Sequence, residues 1–228
     1  MSSTFLWRVF LATAFVQAIG SFLYFVLLEN ETAIQFTYTA TKTIMVFAPL
    51  ALLLCGFKMP SPTKGKEHGR SLFLGIGSGA GIFVLILIVY QLFFSVFAPY
   101  APALFAKIVE VGIWEYYWIA AIGISLVHSL LEEYYWRWYI VKGLETHLAF
   151  FPSLLIGNAL FTLHHYLILS QFVSLPLTFL LGTCVGLGGC LWSLIYRKTG
   201  SLLGAWVSHV FADLAIFIVG YFLVLSFL

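Results

Sequence analysis

Apolar residues in this chain run in blocks of about 20 residues or more, the length a helix needs to cross a bilayer. The period-two alternation of a membrane barrel is absent. The first block covers roughly 5–28, with Arg8 ahead of its main body and no small-residue cleavage site, which predicts a retained span and not a signal peptide. After the polar turn Glu29-Asn30-Glu31, a second span is predicted at roughly 34–57, carrying Lys42, a cation that must snorkel or pair. The stretch Lys58 to Arg70 is the longest polar loop. A third span follows at roughly 72–97, with Gly75, Gly77, Gly79 and Gly81 as close-packing positions.

The proline-broken stretch 98–112 predicts a segment lying along the opposite interface. Span four starts near Ile113 and ends in Trp136, Trp138, Tyr139 and Lys142, aromatics expected to form an interfacial belt. Spans five, six and seven are predicted at roughly 150–170, 173–196 and 201–227. Together these give one all-α integral-membrane domain, 1–228, of about seven spans. Its motif-bearing core lies at about 113–215 and is expected to enclose a polar active-site cavity within the membrane.

Composition narrows the class. Of 228 residues, 62% are hydrophobic and 9% charged, with a mean hydropathy of +1.02. That makeup excludes a soluble domain, and the net charge of +2 points to no nucleic-acid partner. Cys55, Cys184 and Cys190 lie in apolar segments without disulfide or metal spacing, so they are expected to be buried free thiols. With the N-terminus inside, Arg8, Lys58, Lys64, Lys66, Arg70, Arg137, Lys142, Arg197 and Lys198 collect on the inner side, against Lys107 outside. The positive-inside rule therefore predicts a cytoplasmic N-terminus.

The residues that break the apolar pattern carry the chemistry. They are His128, Glu132, Glu133 and Arg137 on span four, His164 and His165 on span five, and His209 and Asp213 on span seven. Ionisable groups inside a bilayer are costly and persist where they pair, line a cavity or react. Glu133 and Arg137 are four apart, in the favourable acid-first order, and are expected to pair. Glu132 is rotated from Glu133 by about 100° and is left for another task. At about 1.5 Å per residue, Glu132, His165 and His209 fall in one layer near mid-membrane.

A carboxylate beside a neutral imidazole can take a proton from water, which is general-base hydrolysis. His209 and Asp213, four apart on one face, can polarise a scissile carbonyl. The same atoms also permit zinc on Glu132, His165 and His209, with a water in the open position. A proton- or metal-coupled carrier is a further possibility for such groups, although no inverted repeat is evident. The HExxH of zinc proteases, the GxSxG elbow and the GxGD of intramembrane aspartic proteases are absent.

Glu132-Glu133-x-x-x-Arg137, Phe161-x-x-x-His165 and His209-x-x-x-Asp213 resemble, in order and on separate apolar helices, the EExxxR, FxxxH and HxxxN/D motifs of the CAAX-protease and bacteriocin-processing (CPBP, or Abi) membrane proteases. The resemblance spans about 125 to 215. It implies an intramembrane endopeptidase in which Glu132 and His165 activate water, His209 and Asp213 stabilise the oxyanion, and Glu133 and Arg137 form a structural pair. It favours a metal-free glutamate mechanism over zinc. It also implies a membrane-associated peptide or protein tail as substrate and a bacterial cytoplasmic membrane as location. Asp213 departs from the more common Asn, and an ionised carboxylate cannot donate to an oxyanion. His164, one residue from the motif histidine, is expected to point about 100° away from it.

Overall fold

A computed structural model describes residues 2–59 and 67–228. The polar loop expected from Lys58 to Arg70 falls partly outside them, including Lys64 and Lys66. Eight helical stretches are used below: α1 (Ser3–Leu27), α2 (Glu31–Leu54), α3 (His68–Leu92), α4 (Phe94–Glu110), α5 (Trp114–Leu144), α6 (Phe150–Leu169), α7 (Leu175–Thr199) and α8 (Leu202–Leu225). No strand occurs among the described residues. Six of these helices are long and apolar enough to cross a membrane. The count is up to seven if α4 and α5, bent by 92° at a short break, are taken as one span. Large apolar side chains such as Phe36 (74%) and Phe73 (77%) are mostly exposed, a surface that suits lipid and not water.

Local chemistry sets the helix ends. Ser2 caps α1 by accepting from the Phe5 N–H at 3.2 Å, and Asn30 caps α2 by accepting from the Ala33 N–H at 3.0 Å. The 98–112 stretch is helical over Ala101–Glu110. Pro99 sits at the start of the preceding 3₁₀ turn, Ala98–Tyr100, and Pro102 in the first turn of the helix, where a missing N–H costs little. Gly112, at φ 70°, supplies the left-handed residue that ends α4 before the bend.

The chain forms two compact units. The first comprises Met1–Lys64 and Leu131–Leu194, the second Gly65–Leu130 and Ile195–Leu228.

In the second unit, α3 and α8 approach through small residues. The Ser71 hydroxyl donates to the Ser201 carbonyl at 3.0 Å and accepts from the Gly204 N–H at 2.9 Å. Ser78 donates to the Ser208 hydroxyl at 3.0 Å. A side chain at Gly75 would strike the Gly204 backbone, and one at Gly204 the Ser71 carbonyl, whereas Gly77 and Gly81 face open space. Of the four expected close-packing positions, Gly75 and Gly79 therefore meet α8, Gly79 against Ser208 and Phe211, and Gly77 and Gly81 do not. Gly204→Ala is expected to destabilise the protein by about 1–3 kcal/mol through overpacking. Gly77→Ala should be neutral or slightly stabilising, because it meets nothing and improves helix propensity. Thermal unfolding of the two purified variants in detergent checks the contrast.

In the first unit, the aromatic run at the end of α5 packs on α1. The Tyr139 and Thr13 hydroxyls share a 2.5 Å hydrogen bond, Tyr135 donates to the Thr13 carbonyl, and Phe10 meets the Tyr139 ring edge-on at 5.1 Å. Trp136, Trp138 and Tyr139 are buried, so the expected interfacial belt is instead part of the interior. The backbone explains how so many large rings fit: Glu133–Val141 is π-helical, and its wider turns spread successive side chains. Lys42 pairs, donating to Gln17 Oε1 at 3.4 Å with its ammonium 5.5 Å from the Tyr38 ring. All three cysteines are free, but Cys55 and Cys184 are exposed and Cys190 half-buried. The expectation of buried thiols fails because an apolar span lets a weakly polar thiol face lipid as readily as core.

Candidate active site

The Glu133–Arg137 pair anchors the site in the first unit. Arg137 Nε donates to Glu133 Oε2 at 3.1 Å, with both side chains fully buried. Arg137 Nη1 also reaches Asn158 Oδ1 at 3.4 Å. Its guanidinium lies over the faces of Phe161, at 4.4 Å, and Trp192, at 5.4 Å, a cation–π arrangement that suits a desolvated arginine. Asn158 is held in turn by donating to the Leu154 carbonyl at 2.8 Å and the Ser193 hydroxyl at 3.3 Å. Sequence reasoning missed Asn158 and Trp192. The signal was available for Asn158, a lone amide in an otherwise apolar span seven residues before His165. Trp192 gave none, being one aromatic among many.

One residue before Glu133 sits the second carboxylate, Glu132, 3% exposed. Glu132, His164 and His165 each offer an oxygen or nitrogen lying within 4.8 Å of the others. Glu132 Oε1 is 3.4 Å from His164 Nε2. The His164 ring is stacked nearly parallel on Trp136 at 5.6 Å and meets Phe161 edge-on at 5.5 Å. The expectation that His164 would turn away from His165 is corrected, since their ring centroids are 4.0 Å apart. Helical rotation fixes the direction of Cβ, but an imidazole reaches further and swings about χ1 and χ2.

His165 is oriented by its own helix. Its Nδ1 is 2.9 Å from the Phe161 carbonyl oxygen. A carbonyl only accepts, so Nδ1 carries the hydrogen and a neutral His165 bears its lone pair on Nε2. Phe161 thus contributes twice, through its carbonyl and through a ring 4.6 Å from the His165 centroid. The four-residue spacing of Phe161 and His165 is what brings that carbonyl under the imidazole.

His209 and Asp213 lie in the second unit, both on α8. His209 Nε2 is 3.5 Å from Asp213 Oδ1, with the histidine buried and the aspartate partly exposed. The i,i+4 pairing expected from their spacing is present. His128, also in the second unit, is half-buried in a short π-helical turn, Ile124–His128. The expected zinc set of Glu132, His165 and His209 is thus divided between units. The triad that is close together in the first unit contains His164 in place of His209.

Two carboxylates adjacent in sequence therefore occupy different environments. Glu133 is neutralised by arginine, while Glu132 faces two imidazoles. Such a division leaves one acid available for proton transfer.

No curated protein and no solved structure matches the chain. A family model described as type II CAAX prenyl endopeptidase Rce1-like matches residues 113–215, and all three motifs fall inside it. Residues 113–215 are therefore similar to the Rce1-like domain of the CPBP intramembrane proteases, within an integral membrane protein whose described residues include six, or up to seven, helical stretches long and apolar enough to cross a membrane.

Proposed function

We propose that this protein is an intramembrane endopeptidase that cuts a peptide bond in a membrane-associated peptide or protein tail by a metal-free glutamate mechanism. The observation that carries this reading is the buried Glu132 carboxylate beside His165, whose tautomer the Phe161 carbonyl fixes. Both present lone pairs, so a water in the site donates one hydrogen to Glu132 and the other to His165 Nε2. Glu132 removes its proton as the water oxygen bonds to the scissile carbonyl carbon. As the C–N bond breaks, Glu132 returns that proton to the leaving amine.

On the resemblance of the motifs, His209 supplies an N–H to the developing oxyanion. Asp213 then acts as the acceptor that orients His209 and balances its charge, a role open to an ionised carboxylate. Glu133 and Arg137 hold the helix and take no proton. We place the enzyme in a bacterial cytoplasmic membrane on the resemblance of the motifs, with its N-terminus inside on the distribution of Lys and Arg.

The test is a mass-spectrometric comparison of membrane-protein C-termini in native cells carrying the wild-type protein or Glu132→Ala. One class of uncleaved tails should accumulate in the variant, which would also name the substrate. Identical profiles with both proteins expressed would sink the protease reading, and ion flux would be measured next.

A further inference from the structure

Three distant parts of the chain meet in the first unit around a cavity of about 450 Å³ that no step of the proposed mechanism uses. The start of α1 lines it through Ser3 and Leu6, the end of α2 through Cys55 and Lys58, and the turn between α5 and α6 through Thr146 and His147. We propose that this cavity binds the phosphate of an anionic phospholipid headgroup, with Lys58 and His147 as its cationic partners.

His147 is held in place by two contacts. Its ring stacks on Trp7, with centroids 3.9 Å apart. The Thr146 hydroxyl gives its hydrogen to the Gly143 carbonyl at 2.6 Å, so in the 2.8 Å contact between Thr146 Oγ1 and His147 Nδ1 the ring is the donor. Nε2 is then the position for a second proton. The imidazolium so formed donates from both nitrogens, and its charge lies over the indole face. Trp7 in turn stacks on Phe10 at 5.0 Å, and Phe10 on Phe57 at 5.1 Å, with Phe10 and Phe57 both buried. A ring already fixed against a packed aromatic wall loses little freedom when a ligand binds.

Charge around the cavity favours an anion. Lys58 is exposed and can turn its ammonium toward a phosphate. The one acid in the adjoining turn, Glu145, is matched by Lys142 at 2.9 Å. The apolar neighbours of the lining residues argue for a lipid as the source of the phosphate. Phe5, Leu54 and Leu148, each next in sequence to a residue that lines the cavity, are exposed, Leu54 to 90%. A ligand with a phosphate in the cavity and hydrocarbon beside it satisfies both surfaces, whereas a free phosphate satisfies one. Basic groups at a span end are also where anionic headgroups are attracted.

The test follows alkylation of Cys55, an exposed thiol on the cavity wall, with the exposed Cys184 on α7 as internal reference. Full-length protein, purified and delipidated in a neutral detergent, is titrated with phosphatidylglycerol, with phosphatidylcholine or with inorganic phosphate alone. Iodoacetamide labelling of each cysteine is read by peptide mass spectrometry. Phosphatidylglycerol should protect Cys55 and leave Cys184 unchanged. Lys58→Gln and His147→Phe, the latter keeping a ring against Trp7, should each raise the half-protecting lipid concentration about fivefold, the contribution of one cation at an anionic surface. Lys58→Arg, which keeps the charge, should be protected as wild type is. Arg70→Gln, which removes an exposed cation from the second unit, should leave protection unchanged.

Equal protection by phosphatidylcholine overturns the site, and so does a loss in Arg70→Gln as large as that in Lys58→Gln, because lipid or surface charge in general would then account for the result. Protection by inorganic phosphate at least as strong as by phosphatidylglycerol overturns the lipid assignment. Labelling needs no substrate, so the outcome does not depend on whether the protein cleaves a peptide.

Discussion

Glu132→Gln is expected to lower kcat/KM by at least about 10³-fold, equivalent to about 4 kcal/mol of transition-state stabilisation, while the protein folds and binds substrate as before. Glutamine keeps the shape of the side chain and an oxygen to face His164, so the 3.4 Å contact survives in kind. What it loses is the ability to take a proton from water. His165→Gln should show a smaller but still severe loss, because an amide cannot reproduce a ring whose lone pair is set by a backbone carbonyl. The double variant should be hardly worse than Glu132→Gln alone, since residues that act as one unit are non-additive. A quenched peptide in detergent or lipid discs provides the rate, and retained substrate binding shows that the defect lies in the chemical step. Residual activity above a tenth of wild type would remove Glu132 from the base position. If Glu132→Gln altered ion flux and not hydrolysis, the carrier alternative would take its place.

The parts of this site that sequence showed are those governed by local geometry. Glu133 and Arg137 pair because four residues bring them to one side of the helix, a relation that the π-helical backbone preserves. His209 and Asp213 pair for the same reason. The long apolar helices were equally legible, because a bilayer requires each to satisfy its own backbone and clothe itself in apolar side chains.

What escaped depends on packing between segments far apart in sequence. The aromatics after Glu133 read as a belt because amphipathic rings at a span end usually meet the headgroups. In the structure, Tyr135 and Tyr139 find their hydroxyl partners at Thr13, more than a hundred residues away. Asn158 and Trp192 complete the arginine's surroundings from α6 and α7, and no spacing rule links them to Arg137. His164 was misjudged because helical phase describes where a side chain starts and not where an imidazole ends. The three motif segments were visible one by one; the second histidine at Glu132 was not.

Arg137→Met is expected to destabilise the protein by about 3–5 kcal/mol, the cost of leaving a buried carboxylate without its counter-charge. Glu133 is fully buried, so water cannot replace the guanidinium without opening the unit. Arg137→Lys should recover only part of the loss. A lysine ammonium can meet Glu133, but it lacks the planar group that also spans Asn158 and lies over Phe161 and Trp192. Removing both charges, as Glu133→Gln with Arg137→Met, should be much milder than the sum of the single changes, because no unpaired charge then remains. Thermal or denaturant unfolding of the four proteins in the same detergent completes this cycle. Single variants as stable as wild type would show that the pair is not structural. The cycle also separates support from chemistry: if Glu133 and Arg137 only hold α5 in place, cleavage by the double variant should track its folded fraction, whereas no amount of stabilisation should restore cleavage to Glu132→Gln.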